Sequence, residues 1–127
     1  MRILLAEDDF VTRKFMSNFL SKYGECDVTV DGMEAVDAFM MALEEGNPYD
    51  LVCLDIMMPV MNGLEATKAI RELPREDAKT IPIIAITANA FNEDVEKSKQ
   101  AGMNAHLTKP LRANEIIGVV SEYINTK

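Results

Sequence analysis

The chain has 127 residues, the size of one domain, and such a domain buries roughly two-thirds of the surface its unfolded chain exposes. Its apolar fraction of 48% is ordinary for a globular fold. The net charge of −8 solvates the surface and argues against direct binding to nucleic acid or anionic membranes.

The chain opens on an apolar run of strand length, Ile3 to Ala6, which Glu7-Asp8-Asp9 ends too soon for the core of a signal peptide. Helical spacing follows in Val11, Phe15, Phe19, Leu20 and Tyr23, with Asp9 placed as N-cap and Gly24 as a stop. A second strand spans Cys26 to Val30. It alternates with polar Asp27 and Thr29. A second helix carries Val36, Phe39, Met40 and Leu43 on one face and ends before Gly46; Met40-Met41 reads as core filler. The third strand, Leu51 to Leu54, delivers Asp55. Ala66, Ala69, Ile70 and Leu73 mark a third helix, closed by Pro74.

Ile83 to Ile86 is a fourth strand, ending on Thr87. The helix after it, Asn92–Ala101, has Val95 almost alone as an apolar anchor and stops at Gly102, so it reads as a weakly held element. The fifth strand, Ala105 to Thr108, carries polar Asn104, His106 and Thr108. The last helix places Ile116, Ile117, Val120, Tyr123 and Ile124 on one face. Cys26 and Cys53 have no metal-ligand spacing and form no disulfide framework; both read as small buried hydrophobes. No apolar run reaches membrane-spanning length, and the cytoplasm is the expected compartment.

Five alternations of strand and helix predict an α/β fold with a parallel sheet and helices on both faces, a three-layer sandwich. Strands one, three and four are continuously apolar and suit the sheet interior. Strands two and five carry polar residues and suit the edges. With strand one beside strand three the order is 2-1-3-4-5. Ligands bind such sheets beyond the carboxyl ends of the strands, where the order reverses.

At those ends the chain places Glu7 and Asp8, Asp55, Thr87, and Lys109. Three gathered carboxylates repel one another unless a cation intervenes, and a hard divalent ion such as Mg²⁺ suits an all-oxygen donor set. Lys109 adds a positive charge for Asp55 or an anionic ligand. Each residue has a bland role of its own: loop acid, helix cap or surface lysine. Five of them at strand ends in one short chain are hard to attribute to coincidence.

The runs Ile3-Leu4-Leu5-Ala6-Glu7-Asp8-Asp9, Leu54-Asp55-Ile56-Met57-Met58-Pro59-Val60-Met61-Asn62-Gly63, Ile86-Thr87-Ala88 and Thr108-Lys109-Pro110-Leu111 together resemble the receiver domain of two-component response regulators. The resemblance spans essentially the whole chain and implies a single receiver domain, 1–127, with no output domain after it. It implies a flavodoxin-like fold with the 2-1-3-4-5 order of chemotaxis receivers. By resemblance, Asp55 would accept a phosphoryl group from a phosphohistidine. Asp8, Asp55 and the Met57 carbonyl would bind Mg²⁺, and Glu7 would act through a water. Lys109 and the Thr87 hydroxyl would each take a phosphoryl oxygen. Ala88 would leave room beside the group, and a cis peptide before Pro110 would position Lys109. Met57 and Asn89, two residues after the acceptor and the threonine, would influence attack by water.

Two positions depart from the family pattern. Glu7 stands where Asp is more common, and His106 stands where Tyr or Phe usually serves as a rotameric switch. His106 is read either as an edge-strand surface residue or as a switch with pH sensitivity near neutrality.

Three rival readings are weaker. A phosphohydrolase with an aspartyl nucleophile usually has a second acid two residues on, where this chain has Met57. A flavin carrier needs a Ser/Thr/Gly-rich phosphate loop after strand one, where this chain has Glu7-Asp8-Asp9. A degenerate receiver would lack the acids and lysine that are present. The resemblance therefore implies a signalling phosphoacceptor, not an enzyme with a separate substrate, that promotes its own phosphorylation and slow dephosphorylation. Its expected partners are a sensor histidine kinase or histidine phosphotransfer protein and a downstream protein. The latter would read the face made by the Asn92–Ala101 helix, the fifth strand and the last helix.

Overall fold

The structure is a computed structural model, and it describes residues 1–88 and 92–124. Among the described residues, five strands alternate with helices: β1 (Arg2–Ala6), β2 (Glu25–Thr29), β3 (Leu51–Asp55), β4 (Ile83–Thr87) and β5 (Ala105–Thr108). The helices are α1 (Phe10–Leu20), α2 (Gly32–Glu44), α3 (Gly63–Arg71), α4 (Glu76–Thr80), α5 (Asn92–Ala101) and α6 (Ala113–Ile124). The short α4 has no apolar period and is missed by a periodicity argument.

All strand pairs are parallel and the sheet order is β2-β1-β3-β4-β5, as expected. The pairing places Ala6 beside Leu54 and Asp55 beside Ile86, so the carboxyl ends of the central strands lie level. Each face of the sheet carries its own core. Leu4, Ala6, Val52, Leu54, Ile83 and Ala85 point toward α2 and α3, where Phe39 and Ile70 are buried. Ile3, Leu5, Leu51, Cys53, Ile84 and Ile86 point the other way, against Met16 and Leu20 of α1 and Ile116 and Val120 of α6. The central strands are apolar on both faces because both faces are covered.

Helix starts follow the capping chemistry. Asp9 accepts from the Thr12 backbone N–H at 2.9 Å and from its hydroxyl at 2.7 Å, and Asp31 accepts from the Glu34 N–H at 2.8 Å. Asn62 and Glu65 form a reciprocal capping box at 2.8 and 3.1 Å. Gly46 and Gly102 take φ of 72° and 106° after α2 and α5.

Several side-chain placements correct the sequence reading. Met40 and Met41 are exposed rather than core filler, because α2 turns Ala35, Val36, Phe39, Ala42 and Leu43 inward. Val11 and Phe15 are also exposed, since Met16 and Leu20 supply the buried face of α1. Ile117 is exposed beside buried Ile116, because neighbours on a helix point about 100° apart. Cys53 is buried as expected, but Cys26 on edge strand β2 is only half-buried.

Candidate functional site

β1 ends at Ala6, so Glu7 follows directly at the carboxyl edge, its backbone N–H held by the Thr29 carbonyl at 3.1 Å. Asp55 is the last residue of β3 and Thr87 the last of β4; both are buried. Lys109 follows β5, and its N–H donates to the Thr87 carbonyl at 2.8 Å. The Lys109–Pro110 peptide is cis.

These positions converge. Lys109 Nζ donates to Glu7 Oε1 at 2.9 Å and to Asp55 Oδ2 at 3.2 Å. The Met57 N–H donates to Asp55 Oδ1 at 3.1 Å. Glu7, Asp8 and Asp55 each offer a carboxylate oxygen, and the three lie within 4.8 Å of one another. Asp8 is exposed, so the cluster opens to solvent on its side.

The electrostatics follow from this crowding. Burial, then the closeness and charge of Asp55, push the Glu7 carboxyl from 4.5 up to about 8, with Lys109 opposing. Burial works against the charge on Lys109, but its hydrogen bonds and the charges of Glu7 and Asp55 raise its pKa overall. For Asp9 the Thr12 hydroxyl and N–H come first in holding the carboxyl low, in keeping with its cap role.

The donor set fits a hard divalent cation. All the ligand atoms are oxygens, and three acidic groups crowd around one lysine. Glu7 Oε2 is buried with no hydrogen-bond partner, a costly arrangement that a cation or its water would relieve. Glu7, Asp8 and Asp55 would hold the ion.

The other residues singled out in the sequence lie apart from this cluster or only border it. Ala88 is exposed at the end of β4, and Asn89 lies outside the described residues. His106 is exposed on β5 and lines a groove with Glu115, Gly118 and Val119, which is the surface placement of the two considered. Met57 is exposed at 74% even though its backbone touches Asp55.

The structure also shows site features that residue-type reasoning missed. Gly63 packs so tightly that a Cβ there would lie 2.4 Å from the Asp55 carbonyl oxygen. Gly32 donates its N–H to the Met61 carbonyl at 2.9 Å, tying the loop before α2 to the loop after Asp55. Val60 in that loop holds φ at 67°, a strained value for a β-branched residue. Val60 and Gly63 stood in the quoted run, but a run does not say what a glycine touches or which residue takes a positive φ; nothing in the sequence marked Gly32.

Comparison with known proteins agrees with this geometry. The model of the response regulator receiver domain family matches residues 3–121. The chain is 37% identical over 125 residues to hybrid signal transduction histidine kinase I of Dictyostelium discoideum, covering 97% of this chain and 7% of that protein. It is 38% identical over 127 residues to the transcription factor SKN7 of Saccharomyces cerevisiae, covering 98% and 19%. The chain thus spans a small part of the length of these relatives. Among solved structures, the receiver domain of sensor histidine kinase PA1611 of Pseudomonas aeruginosa, with a magnesium ion coordinated in its active-site cleft, aligns with TM-score 0.83 at 34% identity. That alignment covers 98% of this chain and 97% of the other. The chemotaxis protein CheY4 of Vibrio cholerae aligns with TM-score 0.82 at 26% identity, covering 96% and 97%.

Proposed function

The chain belongs to the response regulator receiver domain family, and on that premise we propose that Asp55 accepts a phosphoryl group in a Mg²⁺-dependent reaction. The observation that carries this reading is the meeting of Asp55, Glu7, Asp8 and Lys109 at one strand-end cluster.

An Asp55 carboxylate oxygen attacks the phosphorus of a phosphohistidine. The P–O bond forms, the N–P bond breaks and the imidazole leaves. Such a transfer needs positioning and neutralisation of the phosphoryl oxygens more than covalent chemistry. The Met57 N–H fixes Asp55 Oδ1, which orients the nucleophile. Lys109, already on Asp55 Oδ2, transfers its hydrogen bond to an incoming oxygen. Asp8, Asp55 and the Met57 carbonyl, with Glu7 through a water, would hold Mg²⁺, which would supply charge neutralisation. The Thr87 hydroxyl binds another oxygen, and exposed Ala88 leaves the approach open. Met57 and Asn89 set how readily water attacks the product.

The donor is a sensor histidine kinase or a histidine phosphotransfer protein, and the exchange belongs in the cytoplasm. α1 contains Arg13 and Lys14 and no acid, and it exposes Phe10, Val11 and Phe15. Val11 and Phe15 line a groove with Lys109, Pro110 and Leu111, which makes this the apolar surface next to the site on which a donor would dock. The signal leaves by the α5–β5–α6 face. Movement of Thr87 toward the phosphoryl group alters that face, and His106 responds by turning in from its exposed position. Residues 1–127 act as one receiver domain whose α5–β5–α6 face carries the output.

Incubation with acetyl phosphate and Mg²⁺ followed by intact mass spectrometry tests the reading. One added phosphoryl group supports it. Steady release of phosphate from many esters would indicate a phosphohydrolase, and no uptake at all would sink the proposal.

A further inference from the structure

Arg71, the last residue of α3, sits at the edge of the sheet opposite the acidic cluster, where β4 and β5 begin. Among the described residues its guanidinium makes four hydrogen bonds to three acceptors. Nε and Nη2 donate to the Gly102 carbonyl at 3.0 and 2.8 Å. Nη1 donates to the Ala78 carbonyl of α4 at 3.1 Å, and Nη2 also to Asn104 Oδ1 at 2.8 Å. That same Asn104 oxygen accepts the Ile83 N–H at 2.9 Å, and the Asn104 carbonyl accepts the Tyr123 hydroxyl of α6 at 3.0 Å. Gly102 belongs to the same fit: its φ is 106°, and a Cβ there would stand 3.0 Å from Arg71 Cγ.

Gly102 follows α5 directly, so this hub grips the C-terminal end of that helix. Packing grades in the same direction. Val95 is half-buried, whereas Ser98, Ala101 and Met103 are all buried. The other end of α5 leads back to Thr87 at the phosphoryl edge. A helix of ten residues is about 15 Å long, so one end can be fixed while the other moves.

We propose that Arg71 is a positioning residue of the switch, pinning the C-terminal end of α5 so that phosphorylation swings the helix as a lever about Gly102. This rests on the phosphoacceptor reading of Asp55. A pivot makes the same contacts in both states, so it does not bias the equilibrium between them. It decides where the motion goes.

Hydrogen exchange of the wild type and Arg71→Lys, each with and without beryllofluoride and Mg²⁺, tests the proposal. Lysine keeps the charge but cannot reach the Gly102, Ala78 and Asn104 acceptors together. In the wild type, beryllofluoride should change the amides of Glu96, Lys97 and Ser98 and leave those of Gly102 and Met103 within error. In Arg71→Lys without ligand, Gly102 and Met103 should exchange at least tenfold faster, with Glu96 unchanged. Beryllofluoride should then raise exchange at Gly102 and Met103 further, while its affinity stays within about twofold.

Equal ligand effects at both ends of wild-type α5 would overturn the lever. So would a rise at Gly102 and Met103 in the variant that is the same in both states, which is what a purely structural clamp gives. Unchanged exchange there in the unliganded variant would overturn the pivot whatever happens at Asp55. Failure of acetyl phosphate to label the same samples would instead count against the phosphoacceptor reading.

Discussion

A Cβ on Gly63 would lie 2.4 Å from the Asp55 carbonyl oxygen and 3.0 Å from Ile56 Cα, so the first turn of α3 rests on the Asp55 backbone. The Gly63 N–H donates to the Ile56 carbonyl at 3.0 Å and holds that contact closed. The helix thus sets where the Asp55 backbone lies, and the capping box of Asn62 and Glu65 sets where the helix starts.

Gly63→Ala should therefore damage both stability and the site. The added methyl meets backbone and cannot be relieved by a side-chain rotation. Overpacking of this kind costs about 1–3 kcal/mol. Urea unfolding should show that loss, and labelling by acetyl phosphate should slow. Wild-type behaviour in both would mean the loop yields without cost.

Glu7 gives the metal-free protein a pH dependence with a definite sign. Its carboxyl is raised from 4.5 to about 8, so the folded state binds the extra proton. Its contribution is whole below 4.5 and is lost as pH rises through about 8. The slope across that window is at most about 1.4 kcal/mol per pH unit. Chemical denaturation at several pH values without metal should show stability falling. Glu7→Gln should flatten the fall, and saturating Mg²⁺ should oppose it. Stability rising over the same range would contradict the assignment.

Asp8 is the exposed acid of the cluster. Asp8→Asn should weaken Mg²⁺ binding at least tenfold. It should also relieve repulsion and leave the metal-free variant as stable as the metal-free wild type or more so. Titration followed by NMR measures the first effect and urea unfolding the second. Undiminished Mg²⁺ affinity would place the metal elsewhere.

Met57 exposes a side chain that cannot hold a water by a strong hydrogen bond, while its backbone N–H holds Asp55. Met57→Asn should keep the backbone contact and add an amide beside the site. The phosphorylated variant should lose its phosphoryl group several-fold faster, as followed by phosphate release after removal of the donor. Equal lifetimes would remove Met57 as a control point.

The strand ends were legible because each is an apolar run closed by a polar residue of distinct type. Ala6-Glu7, Leu54-Asp55 and Ile86-Thr87 mark themselves. The sheet order was legible because edge strands β2 and β5 carry polar residues within the strand, whereas the central strands are polar only at their ends. Helix faces were harder. α1 has apolar residues on more than one side, and spacing could not say that Met16 and Leu20 would face the sheet while Val11 and Phe15 stayed outside. Met40-Met41 failed for the same reason. The contacts of Gly63 and Arg71 depend on backbone carbonyls distant in sequence, and no residue pattern announces those.

Asp55 is the proposed site at which the phosphoryl group is taken up. The direct measurement is borohydride reduction of acetyl-phosphate-treated protein, which converts an acyl phosphate on aspartate to homoserine, followed by peptide mass spectrometry. Homoserine should appear at position 55, only with Mg²⁺ present, and should be absent in Asp55→Asn. Homoserine at position 8 or 9 in the wild type, or uptake of phosphoryl group by Asp55→Asn equal to the wild type, would contradict it.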